Sequence, residues 1–190
     1  MRLARRYLLW IACTCLFAGV GYGVYAAYLQ VVGNFHTVIE GEFYRSAQPS
    51  ATQLASYVRT HGIKTVINLR GEDASAGWYE NELSTARRLG VQHIDYRMSA
   101  SSMLTPAKAD ELVAIMAAAP KPILVHCQAG SDRTGLVSAL YSYRVAGRSE
   151  ERAERQLSLL FGHVGIPLIS SAYAMDASWE VIEDHYRPEG

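Results

Sequence analysis

Residues 121–135 read KPILVHCQAGSDRTG, and this stretch decides the fold. Lys121 to Val125 is a short, continuously apolar run, the pattern of a strand buried on both faces of a parallel sheet. From Arg133 a helical stretch extends to Ala146, so strand, tight loop and helix follow in direct succession. The loop between them is made of small residues, which let its backbone curl until successive N–H groups point inward. Such a nest, joined to the positive end of a helix dipole, binds a phosphate-like anion. Arg133 on the first helical turn can fork two N–H donors onto two oxygens of that anion. Cys127 lies at the floor of this positive bowl, a setting that favours the thiolate over the thiol. A sulfur beneath a bound phosphoryl group is a nucleophile already in line with phosphorus.

Working outward, strands alternate with helices. Phe35 to Ser46 reads as extended chain ending in a turn at Gln48-Pro49. Ser50-Ala51-Thr52-Gln53 is a capping-box pattern that starts a helix with Leu54, Tyr57 and Val58 on its apolar face, stopped by Gly62. Lys64 to Leu69 is β-rich, Trp78 to Leu89 is helical and closed by Gly90, and Val91 to Tyr96 alternates as a strand. After a small-residue loop at 98–104, Thr105 and Pro106 open a third helix that runs to Ala119. Helical stretches at Ser149–Phe161 and about Leu168–Tyr186 complete the chain. The expected fold is α/β: one domain with a mostly parallel central sheet flanked by helices.

Ahead of it lies a different solvent. The 190 residues balance at zero net charge, 18 basic against 18 acidic, but Arg2, Arg5 and Arg6 put +3 at the N-terminus and leave −3 on the remainder. No charged residue stands between Arg6 and Glu40, and Tyr7 to about Val32 is long and apolar enough to cross a bilayer. Tyr7, Trp10, Tyr25 and Tyr28 suit the two interfaces. A cleaved signal peptide ending near Val24-Tyr25-Ala26 is the rival reading, but its apolar core is normally shorter, so an uncleaved anchor is favoured. Residues 1–35 are therefore read as a membrane segment and 36–190 as the catalytic domain. The positive-inside rule expects a single-pass protein with a cytoplasmic N-terminus and the domain outside, a compartment that would be the periplasm if the source were a Gram-negative bacterium. Cys127 is then the one thiol in the soluble part, unpaired and reactive in an oxidising compartment. Zero net charge excludes a nucleic-acid binder built on a basic face.

The run HCQAGSDRTG at 126–135 resembles the active-site signature of the cysteine-based protein tyrosine and dual-specificity phosphatases. FYRSAQPS at 43–50 and TVINLRGE at 65–72 are similar to segments of bacterial and plant-fungal atypical dual-specificity phosphatases. The resemblance implies a phosphatase-type loop in which Cys127 takes the phosphoryl group. Arg133 holds it and stabilises its equatorial oxygens. Gln128, Ala129, Gly130, Ser131 and Asp132 line the anion with Arg133, Thr134 hydrogen-bonds the sulfur, and His126 sits behind the loop. Gly130 and Gly135 permit the curl and the helix packing. No cofactor or metal is implied. A zinc site is disfavoured because no second soluble cysteine exists and the other histidines are scattered.

The general acid has two candidates. Relatives carry an aspartate about thirty residues before the cysteine, but the loop at 98–104 holds no carboxylate. Asp132 within the signature and Asp95 in the preceding strand are the candidates, with Asp132 favoured at the rim; its plainer role is a carboxylate at a helix N-terminus. Asp110 belongs to a solvated helix. Phosphotyrosine on protein is the favoured substrate. Phosphoinositides or inositol phosphates come second, because Gln128 stands where some lipid-directed relatives carry lysine. Arg70 is read equally as a contact for a second substrate group or as a plain surface residue. A phosphate-recognition module without turnover and a rhodanese-like sulfur transferase are the rivals from other classes.

Overall fold

The computed structural model describes residues 2–187. The side chains of Arg2 and Arg5, and the end of the expected domain at 188–190, lie outside the described residues. Two compact units result, Met1–Val32 and Gly33–Gly190.

The first unit is one helix, α1 (Arg2–Val31), whose Leu9–Val31 portion is long and apolar enough to cross a membrane. The second is built on a five-stranded sheet: β1 (His36–Ile39), β2 (Phe43–Ser46), β3 (Thr65–Asn68), β4 (Gln92–Asp95) and β5 (Ile123–His126). Their spatial order is β1-β2-β5-β3-β4, parallel throughout except for β1. Between them run α2 (Ala51–His61), α3 (Gly77–Leu89) and α4 (Pro106–Ala118). After β5 come α5 (Asp132–Leu140), α6 (Glu150–Glu154) and α7 (Tyr173–Tyr186).

Period-two alternation along the central strand β5 assigns its side chains to two cores. Ile123 and Val125 pack with Leu112 and Met116 of α4, Leu136 and Leu140 of α5 and Trp179 of α7. Leu124 faces the other way, with Tyr44, Leu54 of α2 and Ala86 of α3. All three are fully buried, and each contributes about 2 kcal/mol of transfer free energy. Continued by two residues, the same alternation carries His126 to the α3 side and Cys127 to the α5 side, where it belongs to the larger core. Alternation along β5 thus sets which side of the sheet each of these two signature residues faces.

The expected helix starts hold. Ser50 and Gln53 close both halves of the capping box, and Thr105 caps α4 with Pro106 in its first turn. Gly62 and Gly90 end α2 and α3 in left-handed conformations. Four readings are corrected. The extended chain at 35–46 is an antiparallel hairpin, β1 with β2, and β2 completes the parallel sheet beside β5. The helix predicted over Ser149–Phe161 stops at Glu154, and only a 3₁₀ turn recurs at Leu159–Phe161, ended by left-handed Gly162. The helix predicted from Leu168 begins at Tyr173, because Leu168 itself has φ +64° and leaves the helical region. The helix read over Arg133–Ala146 starts one residue earlier and widens to a π turn at Tyr141–Val145.

Candidate active site

β5 delivers the chain to the C-terminal edge of the sheet, where open α/β folds bind ligands. His126 ends the strand, and Cys127 to Ser131 form the loop that enters α5. Gly130 stands at φ +73°, and a Cβ there would lie 2.5 Å from Ala47 N and 2.6 Å from Ser46 C. Only glycine satisfies both the turn and the close approach. With that bend made, Gly130 N–H donates to Cys127 Sγ at 3.2 Å. Ser131 forms no side-chain cap on α5, so the first-turn N–H groups stay open to the bowl.

The loop's carbonyls are latched on its outer side. Arg45 of β2, fully buried, donates from Nη2 to Gly130 O (2.9 Å) and Ser131 O (3.1 Å). Its Nη1 donates to Gln156 O (2.8 Å) and Oε1 (3.0 Å), and its guanidinium lies 4.3 Å from the Phe161 ring centroid. Burial lowers the Arg45 pKa to about 9 against the attraction of Cys127 and Asp132, and the group is cationic at neutral pH. Asn34 Nδ2 donates to Ala129 O at 3.0 Å. With three consecutive carbonyls turned outward, the amide edge of the loop faces the anion position.

Behind the loop, on the α3 side, lies a buried polar chain. Glu82 Oε1 accepts from His126 Nε2 (3.0 Å) and from His93 Nε2 (2.7 Å). Its Oε2 accepts from Gln48 Nε2 at 2.5 Å, and Gln48 Oε1 accepts from Arg70 at 3.0 Å. Burial pushes the Glu82 carboxyl up, but His126 and His93 outweigh it and draw the pKa down to about 2. A carboxylate only accepts, so both imidazoles donate, which fixes the tautomer of His126 when neutral. The linkage follows from the depressed value. Stability from Glu82 is full above pH 4.5 and is lost as pH falls towards about 2. Glu82→Gln is expected to flatten acid unfolding over this window while lowering stability at pH 7, read by circular dichroism. An unchanged acid limb would refute the role.

The remaining signature residues are also placed. Arg133 Nη1 donates to Leu69 O and Met98 O, both at 3.3 Å, while its Nε is buried without a partner among the described residues. Thr134 Oγ1 is likewise buried and unpartnered, and Gln128 is exposed. Asp132 is the first residue of α5, and its Oδ1 accepts from His163 Nδ1 at 2.8 Å. His163 Nε2 donates to Asp176 Oδ2 at 2.9 Å. Burial lowers the His163 pKa, but these two carboxylate bonds prevail and raise it, favouring the ring with both N–H groups. Asp95 is engaged elsewhere, by Tyr79 Oη (2.5 Å) and Asn68 Nδ2 (2.7 Å), on a groove of about 550 Å³ that Glu72, Arg87 and His93 also line. Asp110 is exposed and bonded by Tyr186. Arg70 stacks 3.7 Å from the Trp78 ring centroid, and burial and then the neighbouring Arg133 lower its pKa. Among the described residues, no group of three or more His, Cys, Asp or Glu is arranged to hold a metal ion.

Asn34, Arg45, Glu82 and His163 stand outside the motif, yet two carried a signal. Arg45 is a lone charge inside the apolar strand FYRS. Glu82 falls between Tyr79 and Ala86 on the buried face of α3, where an acid needs a partner.

Known structures share this arrangement of sheet and helices. TpbA of P. aeruginosa is 22% identical, with a TM-score of 0.62 over 82% of this chain and 92% of that one. PTPMT1 is 19% identical, with a TM-score of 0.57 over 80% and 98%. The core catalytic domain of SIW14 from S. cerevisiae is 20% identical, with a TM-score of 0.57 over 82% and 94%. At these identities the likeness establishes the fold alone. The family model described as "DSP-PTPase phosphatase fused to NAD+ Kinase" matches residues 30–165, which span the sheet, the loop and α5. The chain belongs to this family and is a cysteine-based phosphatase of the dual-specificity superfamily.

Proposed function

We propose that the protein hydrolyses phosphotyrosine on proteins through a phosphocysteine intermediate, with residues 1–35 as membrane anchor and 36–190 as catalytic domain. The observation that carries this reading is the bowl itself. Cys127 Sγ lies 3.2 Å from the Gly130 N–H inside a loop whose carbonyls are held outward. Anion binding by such a loop needs little rearrangement, which is where electrostatic catalysis gains most.

In the first step Cys127 Sγ attacks phosphorus, and the S–P bond forms as the ester P–O bond breaks. Arg133 exchanges the carbonyls of Leu69 and Met98 for two equatorial oxygens, joined there by N–H groups of residues 128–133. Asp132 gives the proton from its second carboxyl oxygen to the leaving tyrosyl oxygen, while His163 holds the first and balances the charge left behind. In the second step water attacks phosphorus, Asp132 takes its proton, and phosphate departs as the S–P bond breaks. The unpartnered Thr134 hydroxyl supports the departing sulfur. His126, tied to Glu82, positions Cys127 from behind.

Phosphotyrosine is supported by the neutral Gln128 after the nucleophile and by TpbA of P. aeruginosa, solved in complex with pTyr. A phosphoinositide or inositol phosphate is the second reading, favoured by Arg70 as a further cation beside Arg133. PTPMT1 has been solved with PI(5)P, and SIW14 is described as a PP-IP phosphatase. The three N-terminal arginines support a cytoplasmic N-terminus and a catalytic domain across the membrane.

The decisive test of the acid compares two leaving groups. Asp132→Asn is expected to slow phenyl phosphate by about 100-fold or more, and p-nitrophenyl phosphate, whose leaving group hardly needs a proton, far less. His163→Gln is expected to shift the pH–rate profile in the same assay. Equal slowing of both esters would remove Asp132 as the donor, and no turnover of either by the wild type would favour the inert module.

A further inference from the structure

The two longest stretches without Asp, Glu, Lys or Arg are residues 7–39, which hold the candidate span, and residues 156–175. The second is not a buried segment. Leu159 is 56% exposed, Leu160 67%, Ile166 44%, Leu168 106% and Ile169 81%. Leu168 holds φ +64° at full exposure, a backbone cost that no packing offsets. The run's one histidine, His163, is buried between Asp132 and Asp176, and exposed leucines and isoleucines with no charged side chain among them mark an interaction surface.

The chain's own connectivity says what covers it. α1 ends at Val31, and Asn34 follows three residues later, within about 11 Å by chain length alone. Asn34 Nδ2 donates to Phe161 O at 2.9 Å, and the His36 ring meets the Phe161 ring edge-on at 4.9 Å. The apolar segment is thereby fastened where the chain leaves the span. A bilayer interface accepts leucine and isoleucine side chains together with serine and tyrosine and penalises exposed charge, and the exposed side chains of this segment carry none.

We infer that residues 157–172 seat in the interfacial layer of the membrane, with Leu159, Leu160, Ile166, Leu168 and Ile169 as the immersed side chains. The inference rests on the reading of Leu9–Val31 as a membrane span. It has a consequence for catalysis, because the same Asn34 nitrogen holds Ala129 O of the phosphate loop. The anion bowl is kept close to the lipid surface, and phosphate monoesters displayed there are favoured over those in bulk solution.

Photo-crosslinking in the full chain tests this directly. Benzoylphenylalanine in place of Leu168, in protein reconstituted into phosphatidylethanolamine–phosphatidylglycerol vesicles, is expected to yield a lipid adduct; the same group at exposed Arg88 of α3 is not. An adduct to a second copy of the chain, or none, overturns the inference. Alkaline extraction separates the two readings: release of the chain from the vesicles sinks the span and the docking together, whereas retention without a lipid adduct sinks the docking alone. A fourfold variant, Leu159→Ser, Leu160→Ser, Leu168→Ser and Ile169→Ser, supplies an independent readout. It is expected to keep p-nitrophenyl phosphate turnover while losing roughly tenfold on a vesicle-embedded phosphate monoester. Equal rates on both substrates, relative to wild type, would count against it.

Discussion

Cys127→Ser is expected to lower p-nitrophenyl phosphate turnover by at least about four orders of magnitude and to leave orthovanadate binding in place. The expectation follows from the division of labour in the loop. In the proposed mechanism the sulfur alone forms the covalent bond, while backbone N–H groups, Arg133 and the end of α5 hold the anion. A serine hydroxyl accepts the Gly130 N–H as the sulfur does, so the bowl keeps its shape, but a hydroxyl at neutral pH is a far weaker nucleophile. Single-turnover kinetics with vanadate displacement separate binding from chemistry. A Cys127→Ser variant that retains turnover would refute the phosphocysteine step. A variant that loses vanadate affinity as well would show that the sulfur also builds the bowl.

The second large effect belongs to Arg45, which is buried on the outer side of the loop. Arg45→Met preserves much of the aliphatic volume but strips four donated hydrogen bonds from Gly130 O, Ser131 O and Gln156. Buried acceptors that lose a charged donor cost about 3 kcal/mol or more together, so the urea midpoint is expected to fall clearly. Freed of their latch, the carbonyls of residues 130 and 131 can rotate towards the anion and repel it. Misplacement of about 1 Å costs on the order of 100-fold in kcat/KM, and that loss is expected in whatever fraction folds. Arg45→Lys is the informative companion. It keeps a charge but not the planar fork, and is expected to recover stability better than activity. Wild-type kcat/KM in a folded Arg45→Met protein would show that the latch is not needed.

These two positions mark what the sequence reveals by itself. Cys127 is legible because strand, small-residue loop and helix follow one another within fifteen residues, and local chemistry suffices to read them. The caps at Ser50 and Thr105 are legible for the same reason. Arg45 reaches Gly130 across 85 positions and Asn34 reaches Ala129 across 95, contacts created by strand order. A charged residue read singly is assigned to water, and only a specific distant partner overturns that assignment. The overlong helices have a different origin. Leu159, Leu160, Leu168 and Ile169 give an apolar pattern that resembles a core-facing helix, yet they are exposed, and left-handed Gly162 and Leu168 break the chain between them. Apolar spacing reports only that a segment avoids water, whatever replaces the water.

The loop at 98–104 carries no carboxylate, and its end is tied down, with Leu104 N–H donating to Ser178 Oγ at 2.9 Å. A proton donor on a separate loop that closes over substrate adds that movement to every turnover. If Asp132 is the donor, nucleophile, anion clamp and acid all ride on one short segment between β5 and α5. They then arrive together, already in register, and turnover has no gate to wait for. Its pace is set by bond-making and by the escape of phosphate, and evolution could tune it only by altering the bowl itself.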